Sequence, residues 1–220
     1  MKLICIREVS YEQHTSKSTI CKASCRLCTR EGGDSKEAEH YKPLLAGWDV
    51  TGFDYHAQNP WGAQAEFPVF FEEQRKAYDT ILLIANSIGA FFSMHALSGR
   101  QVDQALLISP VVDMEKLIRS MMTWANVTEE ELSARGEIPT SFGETLSWEY
   151  LCYVRRHPIR WDVPTCILYG DRDNLTAPGV MSAFAKRTSA VLTVMQGGEH
   201  WFHTAEQMAF LDRWVRTSLD

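Results

Sequence analysis

Short apolar runs alternate with segments of helical periodicity from about residue 48 to the end of the chain. Each run has the length of a buried strand, and turn residues or a helical pattern follow it. The predicted strands span residues 48–55, 80–85, 105–109, 165–169 and 190–195. Continuous apolar strands that alternate with helices are typical of a parallel sheet with helices on both faces. The pattern therefore predicts an α/β fold with a mostly parallel central sheet.

The pattern predicts helices clearly towards the C-terminus, whereas its elements near the N-terminus are weak. One helix is predicted at residues 89–97, directly after the second strand, and another at residues 206–219. Before the last helix, Thr204 and Gln207 have the spacing of a capping box. The weaker runs near the N-terminus are candidates for edge strands, at residues 1–9 and 18–27.

One long segment interrupts the alternation, because residues 113–161 contain no convincing strand. Apolar residues at helical spacing follow Asp113, and Thr128 and Glu131 form a second capping-box pattern. A connection of this length is long between two strands. We expect a single domain over residues 1–220, with residues 113–161 as a cap-like helical insertion that forms a lid over the strand ends. The alternative is a helical excursion that only covers a sheet face.

Composition narrows the class of protein without identifying it. The chain has 220 residues, of which 45% are hydrophobic and 23% charged, as in ordinary globular domains. The formal net charge of -6 disfavours binding to nucleic acid. No apolar run is long enough for a membrane helix, and the N-terminus lacks a secretory signal pattern. We therefore expect a cytoplasmic location, with the six cysteines as thiols.

A candidate nucleophile lies where the second predicted strand meets its helix. Residues 81–97 are ILLIANSIGAFFSMHAL, so Ser87 falls on a strand-to-helix turn. A serine there exposes its hydroxyl at the strand's carboxyl end, beside the unpaired N–H groups of the helix N-terminus. Those N–H groups stabilise the oxyanion that forms when a serine attacks a carbonyl. A serine that merely caps the helix would give the same local pattern.

A serine nucleophile needs a base, and the base needs an acid to orient it. Candidate acids follow the strand at 165–169, where Asp171 and Asp173 are both plausible by distance. Candidate bases follow the strand at 190–195, where His200 is preferred over His203. Carboxyl ends of parallel strands meet at one edge of a sheet, so these side chains can converge on Ser87.

Together these residues resemble the α/β-hydrolase superfamily over about residues 39–219. The chain is similar to small bacterial hydrolases of the serine-aminopeptidase and monoacylglycerol-lipase type. Ala85-Asn86-Ser87-Ile88-Gly89 matches the nucleophile elbow of the family. The resemblance implies Ser87 as nucleophile, Asp173 as acid, His200 as base and the Ile88 N–H as an oxyanion donor. It implies no metal and no organic cofactor.

The chain departs from the family pattern at two places. Ala85 stands where glycine is usual, which is tolerable because the strained φ falls on the serine. The family's His-Gly pair is absent from the corresponding region, residues 27–33. The second oxyanion donor is therefore unassigned, with Thr29, Arg30 and Gly32 as candidates.

A cysteine cluster offers a competing interpretation. Cys21, Cys25 and Cys28 have the spacing of the thiolates that hold an iron–sulfur cluster in radical-SAM proteins. The same segment alternates polar and apolar residues like a strand, which would set Cys21 and Cys25 roughly 13 Å apart. The alternatives to a hydrolase are thus an Fe–S or metal-binding protein and a catalytically weak, hydrolase-like binding protein.

The favoured interpretation is a serine hydrolase that cleaves a small ester, thioester or amide through an acyl-enzyme. Its expected partner is a small-molecule acyl substrate, without nucleic acid and without a membrane span. Apolar residues of the insertion are candidates for an acyl pocket, although helix packing is the more common role of such residues. They are Met114, Met121, Met122, Trp124 and Trp148.

Overall fold

The structure is a computed structural model that describes residues 3–6, 24–25 and 36–219. Its strands, numbered along the chain, are β1 (Leu3–Ile6), β2 (Ser24–Cys25), β3 (Asp49–Gly52), β4 (Leu82–Asn86), β5 (Gln104–Ile108), β6 (Glu137–Pro139), β7 (Thr145–Ser147), β8 (Thr165–Gly170) and β9 (Val191–Met195). Within these residues, a seven-stranded sheet has the order β2-β3-β1-β4-β5-β8-β9. The strands predicted after residue 48 are all present in this sheet.

Most of the sheet is parallel. Strands β4, β5, β8 and β9 pair in parallel, and so do β2 and β3. Strand β1 pairs antiparallel with both β3 and β4, so it lies inside the sheet. The prediction of an edge strand near the N-terminus is therefore wrong for β1. Its run of apolar residues is short, and no local pattern distinguishes a two-sided ladder from a one-sided one.

Helices flank the sheet. They are α1 (Lys36–Tyr41), α2 (Pro60–Ala77), α3 (Ser87–Ala96), α4 (Met114–Ala125), α5 (Glu129–Arg135), α6 (Trp148–Arg156), α7 (Pro178–Thr188) and α8 (Ala205–Thr217), with a short 3-10 helix at Lys42–Leu44. The prediction omits α2, although two start signals precede it. The Asn59 side chain accepts a hydrogen bond from the Gly62 N–H, and Pro60 occupies the first helical position.

Two predicted capping boxes have different outcomes. At α5, the Thr128 hydroxyl accepts from the Glu131 N–H, and the Glu131 carboxylate accepts from the Thr128 N–H. At α8, the Thr204 hydroxyl accepts from the Gln207 N–H as predicted. The Gln207 side chain, however, accepts from the His203 N–H instead of from residue 204. The second capping box is thus only half formed, because the Gln207 side chain binds the N–H of the residue before the cap.

The core is continuous across the sheet. Leu82, Leu83 and Ile84 of β4 are fully buried, as are Phe67 and Phe71 of α2. Burying side chains of this size contributes about 1.5–3 kcal/mol each, before the cost of ordering them. The strand that precedes Ser87 is therefore held on both faces by packed side chains.

Residues 113–161 form α4, α5 and α6 together with a small antiparallel hairpin, β6–β7. The prediction of a purely helical segment is wrong here. Each hairpin strand has three residues, too short for a periodic pattern, yet the paired Ile138 and Leu146 are both buried. Arg155 joins the helices, because its guanidinium donates to Glu115 of α4 at 2.8 Å and to Glu129 of α5 at 2.6 Å.

Among the described residues, no helix is long and apolar enough to cross a bilayer.

Candidate active site

Ser87 occupies a strained turn at the junction of β4 and α3. Its φ is +50°, in the left-handed region that residues with a Cβ seldom adopt. Its carbonyl accepts a hydrogen bond from the Val111 N–H at 3.1 Å, which ties the turn to the end of β5. Ala85 does not carry the positive φ, so the replacement of the usual glycine there causes no strain. Strain of this kind costs about 1–3 kcal/mol and persists only where the surrounding structure enforces it.

The predicted acid and base converge on this serine. The Ser87 Oγ lies 2.8 Å from His200 Nε2, and His200 Nδ1 lies 2.8 Å from Asp173 Oδ2. The side chains of His200 and Asp173 are 1% and 0% exposed. These three groups are therefore linked in one chain of hydrogen bonds shielded from water.

The loop after β8 fixes the Asp173 carboxylate. Its Oδ1 accepts from the Leu175 N–H at 2.8 Å and from the Thr176 N–H at 2.9 Å, which leaves Oδ2 for His200. The Tyr169 hydroxyl donates to the Thr176 carbonyl at 2.7 Å and anchors the far end of this loop. Burial, together with the charges of Asp173 and Asp171, raises the pKa of Tyr169 to about 12, so it remains a donor.

The alternative acid and base do not reach the serine. The Asp171 carboxylate instead accepts from the Gly197 N–H at 2.7 Å. His203 is exposed, and its Nδ1 donates to the Trp201 carbonyl at 2.7 Å. The structure thus brings together Ser87, Asp173 and His200, and leaves Asp171 and His203 apart from Ser87.

Of the candidate oxyanion donors, the structure describes only Ile88. Ile88 lies in the first turn of α3, where backbone N–H groups have no acceptor inside the helix. It lines the same cavity as Ser87. The candidates for a second donor, Thr29, Arg30 and Gly32, lie outside the described residues.

The cysteines of the candidate metal site lie in the same N-terminal part of the chain as these donor candidates. Cys21 and Cys28 lie outside the described residues, and Cys25 is described only as a backbone position in β2. In the part of the chain that the structure does describe, no cluster of three His, Cys, Asp or Glu side chains could hold a metal. Cys152 and Cys166 are free thiols.

Ser87 opens into a cavity of about 700 Å³. Most of its apolar wall comes from the segment between β5 and β8, including Met114, Leu117, Ile118, Met121, Trp124, Phe142, Leu146 and Tyr150. Trp201, beside His200, lines it from the opposite loop. Of the pocket residues expected from the sequence, Met114, Met121 and Trp124 line the cavity. Met122 is buried in the core and Trp148 packs against that core.

Several other lining residues are not predicted from the sequence. Tyr55, Gln58 and Trp61 come from the segment after β3 and the start of α2. No local motif marks them, because they reach the cavity only through tertiary packing. Phe142 and Leu146 belong to the β6–β7 hairpin, whose strands are too short to leave a pattern in the sequence.

Comparisons with solved structures identify the fold. Est1E from Butyrivibrio proteoclasticus has a TM-score of 0.67 at 15% identity, over 90% of this chain and 85% of that chain. Alpha/beta hydrolase domain-containing protein 10 from mouse has a TM-score of 0.65 at 13% identity, over 96% of this chain and 99% of that chain. A monoacylglycerol lipase from Paleococcus ferrophilus has a TM-score of 0.55 at 12% identity, over 89% and 93%.

Sequence comparisons match a smaller part of the chain than the structural comparisons do. A curated relative named "Putative esterase/lipase 3", from Mycoplasma genitalium, is 32% identical over 76 residues, which make up 33% of this chain and 27% of the relative. The match therefore spans well under a third of that relative's length. No protein-family profile matches the chain.

The protein has the α/β-hydrolase fold. The mostly parallel sheet, its flanking helices and the structural neighbours confirm the fold class predicted from the sequence. One of these neighbours is named as a monoacylglycerol lipase and another as an alpha/beta hydrolase domain-containing protein, so the resemblance of the sequence to this superfamily is confirmed at the level of the fold.

Proposed function

We propose that this protein is a serine hydrolase that cleaves a small ester, thioester or amide through an acyl-enzyme on Ser87. The observation that carries the proposal is the buried chain of hydrogen bonds Ser87–His200–Asp173, with both distances at 2.8 Å. A serine hydroxyl is a weak nucleophile until a base removes its proton, and this arrangement supplies the base and its orienting acid.

In the first half of the reaction, Ser87 Oγ attacks the carbonyl carbon while His200 Nε2 accepts the hydroxyl proton. Asp173 holds the Nδ1 proton and stabilises the imidazolium that forms. The carbonyl oxygen becomes an oxyanion next to the Ile88 N–H, at the positive end of α3. His200 then protonates the departing oxygen, sulfur or nitrogen as the bond from it to carbon breaks.

In the second half, water replaces the leaving group. His200 removes a proton from the water as its oxygen attacks the acyl carbon. The bond between that carbon and Ser87 Oγ breaks, and His200 returns the proton to Oγ. A free acid leaves and the serine is regenerated, so no external reactant other than water is needed.

The cavity supports a substrate with an apolar acyl group. Four side chains of α4, namely Met114, Leu117, Ile118 and Met121, line it and present hydrocarbon or thioether surface. We propose that residues 113–161 act as a cap for this reason, within a single domain. We propose the cytoplasmic location expected from the sequence.

The proposal is tested by steady-state hydrolysis of p-nitrophenyl esters of increasing chain length. We expect hydrolysis by the wild type, and a fall in kcat of about 10⁴-fold or more in Ser87→Ala. Ser133→Ala is the matched control, because Ser133 is exposed on α5 and does not line the cavity. Equal rates in all three proteins, or a wild type without activity on esters, thioesters and amides alike, would contradict the proposal.

A further inference from the structure

Asp171 makes a contact that links the acid loop to the base loop. Its Oδ1 accepts a hydrogen bond from the Gly197 N–H at 2.7 Å. Gly197 lies in the turn between β9 and His200, and its φ is +72°. Among the described hydrogen bonds between these two loops, this is the one made by a side chain that does not belong to the proposed triad.

The backbones of the two loops are in unusually close contact. A Cβ at Gly170 would lie 2.3 Å from the Gly198 carbonyl oxygen, so only glycine fits there. The Arg172 N–H donates to that same Gly198 carbonyl at 2.9 Å. The Asp171 N–H donates to the Met195 carbonyl at 3.2 Å. The loops therefore form one connected unit rather than two independent turns.

The Asp171 carboxylate acts at the flexible point of this unit. A glycine with positive φ has several accessible conformations, and fixing its N–H selects one of them. The peptide plane at Gly197 determines the direction of the chain into Gly198, whose carbonyl accepts from Arg172. His200 follows two residues later, so its ring position depends on that direction.

We propose that Asp171 is a positioning residue that holds the histidine loop so that His200 Nε2 stays against Ser87 Oγ. This inference rests on the proposed function and deepens it, because it gives a task to the carboxylate that is not the triad acid. Asp171 touches no reacting atom. It acts through Gly197 on the geometry between base and nucleophile.

The expected loss of kcat follows from how strongly the rate depends on the distance between base and nucleophile. Misplacement of a reacting group by about 1 Å can cost about 10²-fold in rate. Loss of one exposed hydrogen bond would displace the loop by less. We therefore expect Asp171→Ala to lower kcat about tenfold, with KM within about twofold of wild type. The melting temperature should change little, because Asp171 is exposed.

Two further variants separate position from charge. Asp171→Asn keeps an acceptor oxygen for the Gly197 N–H and removes the charge, so its kcat should stay within about twofold of wild type. Asp162→Ala removes an exposed carboxylate outside the two loops and should leave kcat unchanged. Proton NMR provides an independent readout. The downfield resonance of the His200 Nδ1 proton should broaden or shift in Asp171→Ala and remain in Asp171→Asn.

These measurements are made on the full chain after the wild type and Ser87→Ala have been compared. An inactive wild type would count against the proposed function itself. An active wild type with unchanged kcat and unchanged resonance in Asp171→Ala would overturn the positioning role alone. An equal loss of kcat in Asp171→Asn would also overturn it, because charge would then be the cause.

Discussion

Tyr150 carries a hydroxyl that is closed to solvent and has no hydrogen-bond partner among the described residues. Its ring packs edge-on against Trp61, and both side chains line the cavity. Burial raises the pKa of Tyr150 well above its usual range, so the phenol stays neutral. A polar group left unpaired in this way lowers stability by about 1–3 kcal/mol.

We therefore predict that Tyr150→Phe keeps or raises the free energy of unfolding, by up to about 1–2 kcal/mol. Urea denaturation measures the change. Tyr153→Phe, on the same helix, is the matched control, because the Tyr153 hydroxyl donates to Gln64 at 3.0 Å. That variant should lose about 0.5–1 kcal/mol. A loss larger than about 1 kcal/mol in Tyr150→Phe would show that its hydroxyl has a stabilising partner.

The junction of β8 with its loop shows how an element positions the groups of the proposed triad. Gly170 ends β8, and the backbone of Gly198 occupies the space that a Cβ would need. Because the obstacle is backbone and not a flexible side chain, the two loops would have to separate to admit a methyl group.

We predict that Gly170→Ala destabilises the fold by about 2–3 kcal/mol and lowers kcat more than Asp171→Ala does. Thermal unfolding and ester hydrolysis measure the two effects. Gly179→Ala is the control, since Gly179 lies in α7 and a Cβ added there would meet no atom within 4 Å. That change should be neutral or slightly stabilising. Wild-type stability and activity in Gly170→Ala would refute the close contact between the loops.

Among the secondary-structure elements, those with a clear local sequence pattern could be predicted. The strands before Ser87, Asp173 and His200 are continuous apolar runs with turn residues after them, so their carboxyl ends could be located along the chain. The β6–β7 hairpin could not, because three-residue strands have no period to detect. Helix α2 has an Asn59 cap and a Pro60 start, but its pattern does not predict a helix, because Pro68 lies inside it and the apolar Val69 is exposed.

The position of β1 in the sheet and the wall of the cavity depend on long-range packing. The placement of β1 between β3 and β4 depends on pairing between segments that are distant in sequence. The cavity wall combines the start of α2, the helix α4, the hairpin and the loop of Trp201, which are far apart in sequence. The hydrogen-bonded arrangement of Ser87, His200 and Asp173 could be predicted because each residue follows a strand with its own local pattern, whereas no local pattern marks the cavity.

For the whole molecule, a partly buried histidine gives stability a dependence on pH. His95, on α3, has its pKa lowered to about 4, first by burial and then by the nearby His157. In the unfolded chain its pKa returns to about 6.5. The unfolded state therefore binds a proton that the folded state does not, and stability falls as pH decreases from about 6.5 to about 4.

We predict that His95→Gln reduces this dependence. Above about pH 7 both proteins have neutral side chains at position 95, so a constant difference in the free energy of unfolding is expected there. Between about pH 6.5 and about pH 4, the wild type should lose stability faster than the variant. Urea denaturation at several pH values measures both curves. Parallel curves over that range would show that His95 keeps its ordinary pKa in the folded protein.

The central claim is that Ser87 is an activated nucleophile, and labelling with a fluorophosphonate probe followed by peptide mapping tests it most directly. The account predicts one covalent adduct per chain, located on Ser87. It also predicts that His200→Ala slows labelling strongly without unfolding the protein. Folded wild-type protein that fails to react, or an adduct on another residue while Ser87 stays free, would contradict the account.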